Sequence, residues 1–388
     1  MKTIFYRITS LLIATQLLFG CSSPSVPTTP PAPAPTAKKV EVISIDSNLT
    51  RISKLMAGMD TTFSYSHPDW NIDSLKIFAR QTASKYQHMK ESRLFRIGEW
   101  NKANYQSAQI SDSAFVFYPF SGGDFIHVNW LLPNAKDYLM VARESVGTIP
   151  NLTSMSNAEL MKYLNGVDRV LRDIYTKSYF ITKNMIVDIH NNNLVDGMLP
   201  IIVWAAAKTN HEIKSIEYFN IDSTGQSIGA TAGSATGVRI ELKINNTIKH
   251  LTYLSTDISN DGFTKSPAVK TYLNNTVPNA CNTFVKSASY LMHYGSFDEI
   301  RNIILEKSNC LVQDDTGIPF KYFDQSKWNI HLFGQYQKPV KDFSPNLFQT
   351  DMNAAYQDPN FYKGPIDFSL GYHWENDRQN QMFSYKKK

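Results

Sequence analysis

The sequence predicts an α/β fold: one domain, residues 45–388, with helices packed on a mixed β-sheet. Three patterns lead there. Ala114 to Ala142 runs strand, turn, short helix, strand, a βαβ unit. Val238 to Leu254 alternates apolar and polar residues on both sides of Asn245-Asn246, an antiparallel hairpin. Several other windows repeat apolar residues at spacings of three and four, the period of a helix face. With 388 residues, 42% hydrophobic and 12% aromatic, the chain is too apolar to be disordered throughout. Its three cysteines are too few for a disulfide scaffold.

The elements follow in order. Leu75, Phe78, Thr82, Tyr86 and Met89 fall on one face of a helix over 72–89. Ala114–Phe120 reads as a strand, followed by a Gly122-Gly123 turn, a short helix Phe125–Leu132, a Pro133-Asn134 turn and a strand Tyr138–Ala142. Ser156 and Glu159 form a capping-box pattern ahead of a helix carrying Leu160, Leu164, Val167, Leu171 and Ile174. Met198–Ala207 is apolar all round, includes Pro200 and is too short to span a bilayer; it reads as a buried core helix. Ile213–Ile221 is a strand, and the four glycines of 225–237 read as a flexible loop before the hairpin. Thr283–His293 reads as a helix, Ser296–Glu299 as the cap of another reaching Lys307, and Cys310–Gln313 and Asn329–Phe333 as strands.

The first forty-four residues are of another kind. Lys2 and Arg7 precede an apolar run, Ile8–Phe19, and then Leu18-Phe19-Gly20-Cys21. This resembles the lipobox of bacterial lipoproteins, although Phe19 is bulkier than that pattern usually holds. The resemblance implies that residues 1–20 are a signal peptide, that Cys21 carries the lipid, and that Ser22 permits sorting to the outer membrane or cell envelope. Acyl chains anchor by about 0.8 kcal/mol per buried methylene. Residues 21–44 form the lipidated cysteine and its tether: six prolines in Ser22–Lys39 exclude helix and ladder and favour an extended arm of about 55 Å. The membrane is thus the first expected partner.

Lys2 and Arg7 are the only charged residues of 1–20, so removing that segment takes the net charge from +5 to +3. No basic patch marks a nucleic-acid partner. In an oxidising compartment Cys281 and Cys310 are expected to form a disulfide. No CxxC supports a redox or zinc motif.

Four patterns could carry chemistry. Ser121-Gly122-Gly123-Asp124 lies at a strand-to-helix turn, with Glu144 after the next strand. The arrangement resembles the nucleotide site of Rossmann-like folds, methyltransferases included, where glycines admit the ligand and the acid binds ribose hydroxyls. GxGxxG is absent, and a tight turn with an N-cap explains the same residues. Gly225-Gln226-Ser227-Ile228-Gly229 is a literal GxSxG, but no helix can follow it, as the serine-hydrolase elbow requires. A hydrolase using Ser227 or Ser121 would need one of the later histidines, His293, His331 or His373. For metals, His211-Glu212 lacks the second histidine of HExxH, since Ser215 stands there, and Asp188 and His190 are a bare pair. Asp257, Asp261, Asp314 and Asp315 could gather around Ca²⁺ but read better as loop acids; no metal and no cofactor is expected. Six tryptophans could stack sugars, and most belong in a core.

Tyr118–Asp124, Pro133-Asn134-Ala135, Tyr253–Ser259 and Gln313–Phe320 together resemble a family of uncharacterised exported bacterial proteins, over about 70–335. That implies a shared fold and no activity. The expected role is therefore non-catalytic: an envelope lipoprotein that binds a small molecule or protein partner, or is structural. A serine hydrolase and a Rossmann-like small-molecule binder are the alternatives.

Overall fold

The computed structural model describes residues 44–60, 69–180, 195–339, 347–373 and 379–388. Those from Ser44 onward belong to one unit, Ile43–Lys388; the segments holding Cys21, Asp188 and His190 lie outside the described residues.

Eleven strands form one sheet: β1 (Val116–Pro119), β2 (Asp137–Ala142), β3 (Glu212–Ile221), β4 (Ser227–Gly229), β5 (Gly237–Ile244), β6 (Thr247–Ser255), β7 (Cys281–Phe284), β8 (Ser308–Gln313), β9 (Trp328–Gly334), β10 (Tyr362–Gly364) and β11 (Asn380–Lys386). Their order is β10-β9-β11-β8-β7-β1-β2-β6-β5-β3-β4. The central five, β8-β7-β1-β2-β6, are parallel. The chain starts in the middle at β1, winds outward through β2 to β6, then returns to β7 and winds the other way to β8. That is the doubly wound arrangement, and its direction reverses between β1 and β7. Antiparallel wings extend both ends: β5, β3 and β4 beyond β6, and β11 and β9 beyond β8.

Alternation along the central strands feeds two cores. Val116 and Tyr118 of β1, with Tyr138 and Met140 of β2, face one layer of helices; Phe117, Leu139 and Val141 face the other. The first layer holds Ile72–Met89, Phe95–Ala108, Asn157–Val170 and the apolar helix Leu199–Lys208, all of whose residues are buried. Pro200 stands in its first turn, where a missing N–H costs nothing. The second layer includes Pro267–Thr276 and Asp298–Lys307. No helix among the described residues is long and apolar enough to cross a membrane.

The βαβ unit, the hairpin and the capping box all form where expected. Four expectations need correction. The helix opened by Ser156 ends at Val170 and a second, Arg172–Lys177, follows. Thr283–His293 is not a helix: Cys281–Phe284 is strand β7 and Ser287–His293 is a 3₁₀ turn. A central strand buried on both faces carries no alternation and can imitate a buried helix in sequence. The 225–237 segment is not a free loop, because Ser227–Gly229 pairs with β3. Ser296 caps nothing; Asn260 accepts from the Glu299 amide (3.3 Å) and donates to the Asp298 carboxylate (2.8 Å) instead.

The expected disulfide is also overturned: Cys281 and Cys310 are free, buried thiols. Asn282, not Cys281, stands opposite Cys310 in the β7–β8 ladder. Successive residues of a strand point to opposite faces, so Cys281 joins one core and Cys310 the other, with the sheet between them.

Candidate functional site

Every segment leaving the carboxyl ends of the five parallel strands emerges on one edge of the sheet. From β1 come Phe120–Asp124; from β2, Arg143-Glu144; from β6, Thr256-Asp257; from β7, Val285–Ala288; from β8, Asp314-Asp315. Between the first four lies a cleft of about 440 Å³, at the point where the winding reverses. Doubly wound sheets bind their ligands at such a point. A larger cavity of about 800 Å³ lies at the opposite edge, by Asp112, Pro133 and Asn134 ahead of β1 and β2; the switch-point rule favours the smaller cleft.

Ser121, Gly122, Asp124 and Glu144 all line the cleft, as the sequence pairing anticipates. Gly123 turns inward, where a Cβ would come within 3.3 Å of Ile201 and Met198. Gly122 has φ +54°, and a Cβ there would meet the Phe180 ring at 3.2 Å. That ring covers the backbone a pyrophosphate would need.

Asp124 closes the anion site in a second way. It is the N-cap of the seven-residue helix Phe125–Leu131, and its Oδ1 lies 2.7 Å from His127 Nδ1. Its Oδ2 accepts from the Tyr118 hydroxyl (2.9 Å) and pairs with Lys286 Nζ (2.7 Å). Lys286 also donates to the Ser178 carbonyl. Asp124, His127 and Lys286 are all buried. Burial acts to raise the Asp124 carboxyl, but contact with His127 and Lys286 outweighs it and holds the group below the usual carboxylate range. Burial, opposed in part by Asp124, pushes His127 down to about 4, so the ammonium of Lys286 is the cation here at neutral pH. Burial lowers Lys286 as well, against the pull of Asp124. Nearby, Arg93 donates to the Ile174 and Tyr175 carbonyls at 3.2 and 3.0 Å, near the end of helix Arg172–Lys177.

The cleft therefore has a neutralised floor, aromatic walls and an acidic rim. Tyr179, Tyr290 and Tyr372 line it, with the Tyr179 and Tyr372 rings 4.8 Å apart; Phe120 and Phe297 contribute a second pair at 5.9 Å. Glu144 and Asp257 supply carboxylates, and Arg143 stands 3.7 Å from Asp257. Two non-glycine residues of this wall, Phe120 (φ +61°) and Ser287 (φ +59°), are held in the left-handed region, a strained state that concentrates at functional sites.

The other candidates are dispersed. Ser227 is exposed on the outermost strand, beside the cavity that also contains His250 and Asp137. Both ring nitrogens of His250 face carboxylates, Asp137 at 2.9 Å and Glu241 at 3.8 Å. The Ser121 hydroxyl is directed at the carbonyls of Gly122 (3.0 Å) and Val141 (3.4 Å). Among the described residues no histidine is hydrogen-bonded to either serine. Asp314 and Asp315 do come together, with His373 rather than with Asp257 or Asp261. His211 joins no metal-type cluster among the described residues; it is buried beside Thr209, 2.8 Å away. Trp70, Trp204 and Trp328 are core residues.

Sequence reasoning weighed His373 only as a base for a hydrolase serine, and it passed over Lys286, His127 and the three tyrosines. Only Lys286 left a trace, a lone cation directly after the apolar stretch Phe284-Val285. No protein-family model, curated protein or solved structure matches the chain.

Proposed function

We propose that this protein is an envelope lipoprotein, anchored through lipid on Cys21, whose domain binds an uncharged ring ligand bearing adjacent hydroxyls, of nucleoside or saccharide type. The observation that carries the ligand reading is the cleft itself: about 440 Å³ at the switch point, with the Ser121–Asp124 turn and Glu144 both in its wall. Aromatic rings offer faces for a ring ligand. Two carboxylates offer acceptors for paired hydroxyls. Phosphate is disfavoured, because Phe180 covers Gly122 and Asp124 already takes the helix N-terminus and Lys286. The role is binding rather than turnover, since the buried charges of the floor are paired with each other and the Ser121 hydroxyl is directed at backbone carbonyls.

The test is a melting-temperature and native mass-spectrometry screen of the full chain in detergent. The probes are adenosine and neutral mono- and disaccharides, with NAD and S-adenosylmethionine as charged comparisons that should bind more weakly than adenosine. Binding to the native state alone raises the melting temperature. Glu144→Gln should weaken the hit at least tenfold, the value of about one charge-assisted hydrogen bond. No hit at millimolar concentration, or a hit indifferent to both Glu144→Gln and Tyr372→Ala, removes the cleft from consideration. Separately, Cys21→Ser should move the protein from washed membranes to the soluble fraction; retention would overturn the lipid anchor.

A further inference from the structure

The carboxyl end of β8 carries a second arrangement that the ring-ligand reading does not use. Asp314 and Asp315 follow the strand directly, and both are buried. Asp314 Oδ1 accepts from the Thr316 amide (2.9 Å) and hydroxyl (2.5 Å), which fixes the carboxylate in a tight turn closed by Gly317. Its other oxygen, Oδ2, is buried with no hydrogen-bond partner. Asp315 is placed by its amide, which donates to Asn380 Oδ1 at 2.8 Å, and its Oδ1 lies 2.5 Å from His373 Nε2. His373, also buried, comes from the far C-terminal part of the chain. One ligand atom from each of Asp314, Asp315 and His373 lies within 4.8 Å of the others. Among the described residues no lysine or arginine pairs with either carboxylate.

Two further observations point into the same space. Ser287 Oγ, at the end of neighbouring β7, is buried and has no hydrogen-bond partner. Gly371, φ +55°, stands over it. A Cβ on Gly371 would lie 2.7 Å from Ser287 Oγ and 3.4 Å from Asp314 Oδ2. The glycine thus keeps open a small space bounded by two bare buried oxygens. Leaving a buried polar oxygen unmatched costs free energy in general; of the two adjacent buried carboxylates only Asp315 contacts the imidazole, and Lys286, the buried cation whose field reaches Asp314, is already paired with Asp124.

We infer that Asp314, Asp315 and His373 form a divalent transition-metal site of the zinc class, with the Ser287 hydroxyl turned toward its remaining position. The donor set decides the class. Mixed carboxylate and imidazole donors suit Zn²⁺ at bonds of about 2.0–2.2 Å. Calcium and magnesium prefer oxygen throughout and would leave the imidazole unused. Donors in a tetrahedral site stand about 3.3 Å apart, so small side-chain rotations suffice. The ion would join the ends of β7 and β8 to the C-terminal segment, and Ser287 places it behind the wall of the ligand cleft.

The test is metal analysis of the full chain purified in detergent. One equivalent of zinc per chain is expected. A chelator should lower the melting temperature and added Zn²⁺ should restore it. His373→Gln should bind at least tenfold more weakly and melt at a temperature that no chelator changes. Cobalt substitution of the unaltered chain gives an independent readout should that variant not fold: visible absorption bands of a four-coordinate nitrogen–oxygen site are expected. Less than about a tenth of an equivalent, with no cobalt bands, overturns the site. Full metal retention by His373→Gln places the metal elsewhere and overturns it equally.

Discussion

Replacing Lys286 with methionine tests the buried charge system beneath the cleft. The side chains of Asp124 and Lys286 are 2% and 3% exposed, so water cannot take over for a missing partner. In Lys286→Met, Asp124 Oδ2 keeps the Tyr118 hydroxyl and Oδ1 keeps His127, but the negative charge loses its cation. Breaking a buried pair costs about 3–5 kcal/mol. The retained donors favour the lower end, about 3 kcal/mol, and the Ser178 carbonyl left without its donor adds about 1 kcal/mol. A loss of about 4 kcal/mol should lower the urea midpoint at pH 7.5 by roughly 1–2 M. The pH dependence is the sharper readout. Without the ammonium, burial raises the Asp124 carboxyl, so the native variant takes up a proton on the Asp124–His127 pair at mildly acid pH. Wild type does not, because its carboxyl is depressed and its imidazole lies at about 4. The stability gap should therefore narrow by about 1.4 kcal/mol for each pH unit below the new pKa. Lys286→Met combined with Asp124→Asn should recover most of the loss. A gap that stays constant from pH 7.5 to 5 would refute the assignment of an ion pair to these two groups.

Three more outcomes are expected. His127 and His211 both have folded pKa values of about 4, lowered by burial, so each contributes stability that is whole above pH 6.5 and is lost as pH falls toward 4. The amount is roughly 3 kcal/mol for each, and urea midpoints that stay flat from pH 7.5 to 4.5 would contradict it. Gly147→Ala should destabilise by more than about 3 kcal/mol or abolish soluble expression, because φ is +73° and the new Cβ would sit 1.7 Å from the Asp196 carbonyl oxygen; a urea midpoint near wild type would count against that packing. Finally, Cys281 and Cys310 should both alkylate in denaturant without reductant and neither should react in the native state, read by intact mass; a protein two daltons light and unreactive would restore the disulfide.

Local chemistry was legible where local chemistry decides. The capping box of Ser156 and Glu159 and the Asn245 turn at φ +53° each need only neighbours a few residues away, and each forms as the sequence predicts. The Ser121–Asp124 turn and Glu144 were found for the same reason: a βαβ unit brings its two strand ends together by itself. Strand β7 was misread because its residues are buried on both faces, and its place between β1 and β8 is a long-range fact.

What the sequence by itself determined is the α/β class, the hairpin, the central βαβ unit and half of the cleft wall. Only the tertiary structure decided the strand order, and with it everything that depends on β7 and β8. Lys286 reaches Asp124 across 162 positions of chain because β7 returns to the side of β1. Asp315 meets His373 because β11 inserts antiparallel between β8 and β9, bringing the C-terminal segment back over the strand ends. Cys281 and Cys310 part for a related reason: register sets the face of each residue, and a sheet lies between them. Such pairings come from how apolar faces are shared across the whole sheet, a property no short stretch of sequence contains.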